Sequence, residues 1–209
     1  MLEGIEITAP KEIEQKSFEI LSQKLGDKKF PPLHEPIIKR VIHTTADLDY
    51  ADLLKISAGA VESGLQAIKE GSNIVTDTKM VEAGINKKVL FKYGGEVRCF
   101  IDEEDVARQA LKEGITRAAF NIQKASLDSR SRIFAIGNSP TALIALVELI
   151  QQKKVRPALV VGVPVGFVNV VESKKLLQES GAPYILSEGQ KGGSNVAAAI
   201  INAILYLMG

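Results

Sequence analysis

FAIGNSPTALIAL, residues 134 to 146, runs from an apolar segment, the end of RIFAI (132–136), through Gly-Asn-Ser-Pro into a second apolar segment. A short apolar run without polar alternation reads as a strand buried on both faces. Ser139 followed by Pro140 reads as an N-cap and a first-turn proline, so a helix starts there with its leading N–H groups exposed. A strand, a tight loop and a helix in that order form half of a βαβ unit. The free N–H groups also make an anion seat on Gly137, Asn138 and Ser139, with the anion left open.

The same plan recurs on both sides of this stretch. NIVTD (73–77) leads into TKMVEAG, ALVVG (158–162) passes through VPVGF to VVESKKLLQES, and YILS (184–187) passes through EGQKGG to SNVAAAIINAILYL. EEDVARQALKEGITRAAFNIQ reads as helix with a weak point at Gly114, and VLFKY and EVRCFI around Gly94-Gly95 read as a hairpin. Before residue 71, EIEQKSFEILSQKL (12–25), EPIIKRVIHTT (35–45) and SAGAVESGLQAIKEG (57–71) carry helical spacing. The expected fold is therefore α/β: a mainly parallel sheet covered by helices on both faces, with a helical N-terminal section. One domain is expected over 1–209, helical over 1–70 and α/β over 71–209.

Bulk properties narrow the function classes. With 26 Lys and Arg against 25 Asp and Glu, the net charge of +1 supplies no field for a nucleic acid. One cysteine, Cys99, leaves neither a disulfide within the chain nor a thiolate metal cluster, which suits a reducing cytoplasm. The start, MLEGIEITAPKEIEQ, lacks the basic head and apolar run of a secretory signal. VAAAIINAILYLMG (196–209) is too short to span a bilayer comfortably and contains Asn202, so it is expected to be a buried terminal helix rather than a membrane anchor.

In a parallel sheet, ligands bind where loops leave the carboxyl ends of the strands. The loops at Gly137, at Gly162 to Gly166, and at Gly189 to Gly193 all open on that edge. None has the spacing of a dinucleotide or phosphate loop, which argues against a nucleotide-dependent oxidoreductase. Each is either an ordinary turn or part of one shared pocket, in which Lys191 beside Gly192 and Gly193 would bring a cation and bare amides to an anion. His43, near the end of EPIIKRVIHTT, is either a surface imidazole at a helix C-terminus or a proton donor and acceptor with Arg40 beside it. Ser17 in QKSFEIL is either solvated or a ligand contact. Arg117 in GITRAAF is either exposed or a carboxylate clamp. The acidic run DLDYAD (47–52) has no calcium-loop spacing and reads as a solvated turn.

KSFEI, RVIHTTADLDYADL, TDTKMVEAGI, ITRAA, FAIGNSPTAL, VVGVPVGFVNVVESK and KGGSNVAAAI, in that order over nearly the whole chain, resemble the precorrin-8X methylmutases, or precorrin isomerases. The resemblance implies an isomerase of the cobalamin pathway. Such an enzyme moves a methyl group from C-11 to C-12 of precorrin-8X or its cobalt form, with no redox step, external cofactor or metal of its own. It puts the catalytic histidine at His43 as proton donor or acceptor and substrate-contacting residues at Ser17 and Arg40, with Arg117 a further candidate. A ring fringed with acid side chains then needs several anion seats. A substrate carboxylate is expected on Gly137, Asn138 and Ser139, with further contacts from Gly162, Gly166, Lys191, Gly192 and Gly193. Val163, Pro164, Val165 and Phe167 are expected to wall an apolar slot. The family's homodimers, with the ring held near the subunit boundary, are implied as well. Lys79 stands where a small or acidic residue is expected, so carry-over around it stays open. A tetrapyrrole carrier without catalysis is the rival reading, and it would not need His43.

Overall fold

A computed structural model describes residue 9 and residues 12–209. The reading of the extreme N-terminus as signal-free falls mostly outside them. In chain order the first half holds α1 (Ile13–Leu25), α2 (Glu35–Thr45), α3 (Tyr50–Leu53), β1 (Leu54–Ile56), α4 (Ala60–Lys69), β2 (Asn73–Thr76), α5 (Lys79–Gly84), α6 (Lys87–Lys92) and β3 (Val97–Arg98). It continues with α7 (Glu104–Glu113), α8 (Arg117–Ala125), β4 (Ser131–Ile136), α9 (Pro140–Gln151), β5 (Leu159–Gly162), α10 (Val170–Glu179), β6 (Tyr184–Ser187) and α11 (Ser194–Tyr206).

The six strands form one sheet in the order β1-β6-β5-β4-β2-β3, parallel except for β1, which runs antiparallel to β6. Side chains alternate across a strand, so each apolar run feeds two cores. Ile74, Ile133, Ala135, Leu159, Val161 and Ile185 pack with α2, α4, α5 and α11. Val75, Phe134, Ile136, Val160 and Leu186 pack with α8, α9 and α10. A strand clothed on both faces has no use for polar alternation, which is why these segments read as continuous apolar runs.

The terminal apolar run is α11, whose Val196, Ala197, Ile200, Ile201, Ile204 and Leu205 are buried at the centre of the first core. Its one polar interruption has a structural task. Asn202 accepts from the Asn86 N–H at 2.7 Å and donates to the Gly84 carbonyl at 2.8 Å, satisfying the backbone between α5 and α6. Among the described residues no helix is long and apolar enough to cross a membrane.

Two expectations need correction. Residues around Gly94-Gly95 form no hairpin. Lys87–Lys92 is a helix capped by the Asn86 side chain, with Gly94 left-handed just beyond it at φ 79°, and Val97–Arg98 instead pairs in parallel with β2. Val89, Leu90 and Tyr93 face the first core at helical spacing, so the period was 3.6 rather than 2. The N-terminal section is not wholly helical either, because Leu54–Ile56 adds the antiparallel edge strand. At Gly114, φ 67°, the expected weak point is a full break between α7 and α8.

Candidate functional site

The loop after β4 is built as its sequence indicates. Ser139 is extended, its Oγ accepts from the Ala142 N–H at 3.3 Å, and Pro140 opens α9. The resulting anion seat is filled by the protein itself. Asp77, at the end of the neighbouring strand β2, accepts from Gly137 N–H at 3.0 Å through Oδ1, and from Asn138 and Ser139 N–H at 2.8 and 2.7 Å through Oδ2. The expectation of a substrate carboxylate on these three amides is therefore corrected. Burial pushes the Asp77 carboxyl above its ordinary range, and the three amides offset only part of that rise.

The three glycine loops do share one edge. Val163 N–H donates to Ile136 O, Gly193 N–H to Val163 O, and Gly166 N–H to Gln190 O. Several of the glycines answer to this packing. A Cβ on Gly192 would lie 2.1 Å from Val163 O, and one on Gly137 2.7 Å from Ser194 Cα. Gly162 is likewise closed off, by Leu177 at 2.5 Å. Val163 is wholly buried in the first core and Pro164 is buried too, so neither walls a slot. The open apolar surface of the β5–α10 loop is Val165, Phe167 and Val168, at 44%, 86% and 76% exposure.

Two lysines hold the β6–α11 loop. Lys191 Nζ lies 2.6 Å from both Asp47 Oδ2 and Asp49 Oδ2, joining the loop to the turn after α2; these bonds keep its ammonium above the usual lysine range. Its charge is thus already engaged rather than waiting for a ligand, and DLDYAD is half of this clasp. Lys174, on α10 and 3% exposed, donates to Ser187 Oγ at 3.2 Å and to the Gly189 and Lys191 carbonyls at 2.8 Å each. Three acceptors match its three donors, but none carries a charge.

Burial pushes the Lys174 ammonium down to about 8 from 10.5. Below about 8 the folded protein bears the cost of a buried cation. Between about 8 and 10.5 the unfolded chain holds this proton more tightly than the folded one, so stability gains as pH rises. Chemical denaturation of wild type and Lys174→Met is expected to show their difference moving toward wild type by roughly 1 kcal/mol per pH unit from pH 8 to 10. A pH-independent difference would show that this amine does not titrate in that window.

On the first-core face, α1 lies on α2 and gathers a second cluster. Ser17 Oγ is 2.8 Å from His43 Nδ1, and the Phe18 ring stacks on the imidazole at 5.1 Å and 17°. Arg40, one turn before His43, pairs with Glu14 at 2.5 Å and lies 5.0 and 5.1 Å from the centroids of Phe18 and Tyr206. His43 is exposed, and among the described residues its Nε2 has no hydrogen-bond partner. A serine hydroxyl can donate to a bare Nδ1 or accept from Nδ1–H, so Nε2 can present either a proton or a lone pair. The Lys191 clasp to Asp47, four residues past His43, ties the turn after α2 to the loop edge.

Arg117 opens α8 on the opposite face of the sheet and is exposed. Its neighbour Thr116 bonds Thr141 at 2.7 Å, which bonds Ser139 at 2.8 Å, so a file of hydroxyls joins this corner to the GNSP loop. A groove of about 500 Å³ between α8 and α9 begins there. Lys79, the departure from the expected pattern, is engaged by Glu82, Asp102 and the Cys99 carbonyl. Sequence reasoning missed Asp77, Lys174 and Phe18. Of these only Asp77 had a usable signal, an acid closing a buried strand next to the amide-rich loop.

The comparisons agree with this architecture. A family model for precorrin-8X methylmutase matches residues 12–207. The cobalt-precorrin-8 methylmutase of Salmonella typhimurium is 48% identical over 207 residues, 96% of each chain. That of Priestia megaterium is 41% identical over 95% of this chain and 88% of its own. A crystal structure of precorrin-8X methylmutase from Thermus thermophilus superposes with a TM-score of 0.85 at 41% identity, covering 94% of this chain and 96% of that one.

Proposed function

The chain belongs to the precorrin-8X methylmutase family, and from that membership we propose that His43 is the group through which it performs the family's reaction. The protein is a methylmutase, an isomerase of cobalamin biosynthesis. The reaction moves the C-11 methyl of precorrin-8X, or of cobalt-precorrin-8, to C-12, giving hydrogenobyrinate or cobyrinate. The observation that carries the role of His43 is the Ser17–His43 hydrogen bond, which holds Nδ1 and, among the described residues, leaves Nε2 without a hydrogen-bond partner.

Protonation of the conjugated ring by Nε2–H makes it electron-poor and eases a [1,5] methyl shift. The proton then returns to Nε2, so the step consumes nothing and calls for no external cofactor. Arg40, Ser17 and Arg117 contact the substrate, Arg40 exchanging its Glu14 partner for an acid side chain and Arg117 gripping another from the opposite face of the sheet. Val165 and Phe167 supply apolar surface to the macrocycle. The working unit is a homodimer in the cytoplasm, with the ring close to the subunit boundary.

Mixing purified protein with precorrin-8X or its cobalt form tests the assignment, because migration changes the conjugation and therefore the absorption spectrum. The expected result is a new spectrum that persists in pigment extracted from the protein. Recovery of unchanged substrate after extraction would leave only a carrier.

A further inference from the structure

Phe18 stands at the junction of the two groups assigned to substrate. Its ring stacks on His43 with centroids 5.1 Å apart, and the Arg40 guanidinium carbon lies 5.0 Å from the same ring. Arg40 and His43 are three residues apart on α2 and so neighbour one another on that helix. An aromatic face attracts cations through its quadrupole, whether guanidinium or imidazolium. The adjacent Ser17 fixes the imidazole by its Nδ1 edge, while Phe18 fixes the plane of the ring.

We propose that Phe18 is a positioning residue of the isomerase site, a shared aromatic platform that sets the His43 ring plane and the Arg40 guanidinium together. The inference rests on the roles given above to His43 and Arg40. It assigns Phe18 no contact with the reacting atoms. Tyr206, 5.1 Å from the Arg40 guanidinium, supports the same group from α11. Leucine at position 18 keeps apolar bulk but removes the π face, whereas tyrosine keeps the face.

The test compares wild type, Phe18→Leu, Phe18→Tyr and His43→Ala in steady-state turnover of the corrinoid substrate. The two histidines of the chain, His34 and His43, are followed by NMR alongside. Phe18→Leu is expected to lower kcat about tenfold or more and to raise KM a few-fold, since small misplacements of a catalytic group are costly. Phe18→Tyr should recover most of both. In wild type the His43 ring protons should be shifted upfield and show cross-peaks to the Phe18 ring; in Phe18→Leu the upfield shift should vanish, with His34 unmoved.

Normal kcat and KM in Phe18→Leu, or equal losses in the leucine and tyrosine variants, would overturn the proposal. So would absence of the wild-type cross-peaks, a measurement that stands even if Phe18→Leu does not fold. An inactive His43→Ala beside a fully active Phe18→Leu removes only the platform. A fully active His43→Ala removes the role of His43 and the platform with it.

Discussion

His43→Ala is expected to slow methyl migration by about 10²–10⁴-fold while leaving substrate affinity within a few-fold of wild type. The range is what a positioned general acid or base ordinarily contributes. Alanine removes both ring nitrogens but leaves α2 in place, because the buried face of that helix is Ile37, Ile38, Val41 and Ile42, and His43 is exposed. Affinity should persist because the carboxylate-binding cations and the apolar loop lie on other residues. Ser17→Ala is the milder counterpart: it frees Nδ1 and the ring's rotation but keeps the imidazole, so its loss in rate should be smaller. Rapid mixing of excess enzyme with substrate, followed by the absorption change, gives the migration rate apart from product release. An alanine variant that matches wild type in that experiment would exclude the imidazole from the reaction.

Much of the fold could be read directly. β5 and β6 lie inside their apolar runs and β4 starts one residue before its own, because strands clothed on both faces leave an unambiguous signature, and the Ser139-Pro140 start of α9 is a local matter of two residues. Misreadings came where the deciding partner is remote. Leu54–Ile56 is only three residues long and becomes a strand because β6 offers it an edge. Residues 87–92 turned on whether Leu90 packs downward at helical spacing or pairs across Gly94-Gly95, and β2 was the better partner for Val97.

The site divides in the same way. A sequence displays donors but not what they hold. Gly137, Asn138 and Ser139 were legible as an anion seat, while the anion lay 60 residues away on a strand whose neighbour only the sheet order reveals. Lys191 was legible as a cation but not as one already bound by Asp47 and Asp49. Lys174 within ESK looks like any solvated helix lysine until the β6–α11 loop closes over it. The pairing of Ser17 with His43 likewise needs α1 laid on α2, which no spacing rule supplies.

Replacing Asp77 should therefore reach both stability and rate, though no substrate atom need touch it. Its two oxygens accept three backbone N–H groups at 2.7 to 3.0 Å, in a place shut off from water. In Asp77→Ala all three donors lose their partner. In Asp77→Asn one oxygen remains, but the new NH₂ must face an N–H, so at least one donor stays unpaired. Relief from burying a charge offsets part of the cost in both variants, yet removing one side of a buried charged contact costs about 2–4 kcal/mol. For a chain of this size that corresponds to a fall in Tm of roughly 5–15 °C. The GNSP loop abuts the β6–α11 loop, Gly137 lying against Ser194 and Gly193, so its displacement should also reduce turnover, by about 10²-fold if it moves an ångström. Thermal melts and single-turnover rates of the two variants decide the matter. If Asp77→Asn melts within about 2 °C of wild type and turns over normally, the carboxylate is not what shapes this loop, and the seat regains a place for an acid arm of the substrate.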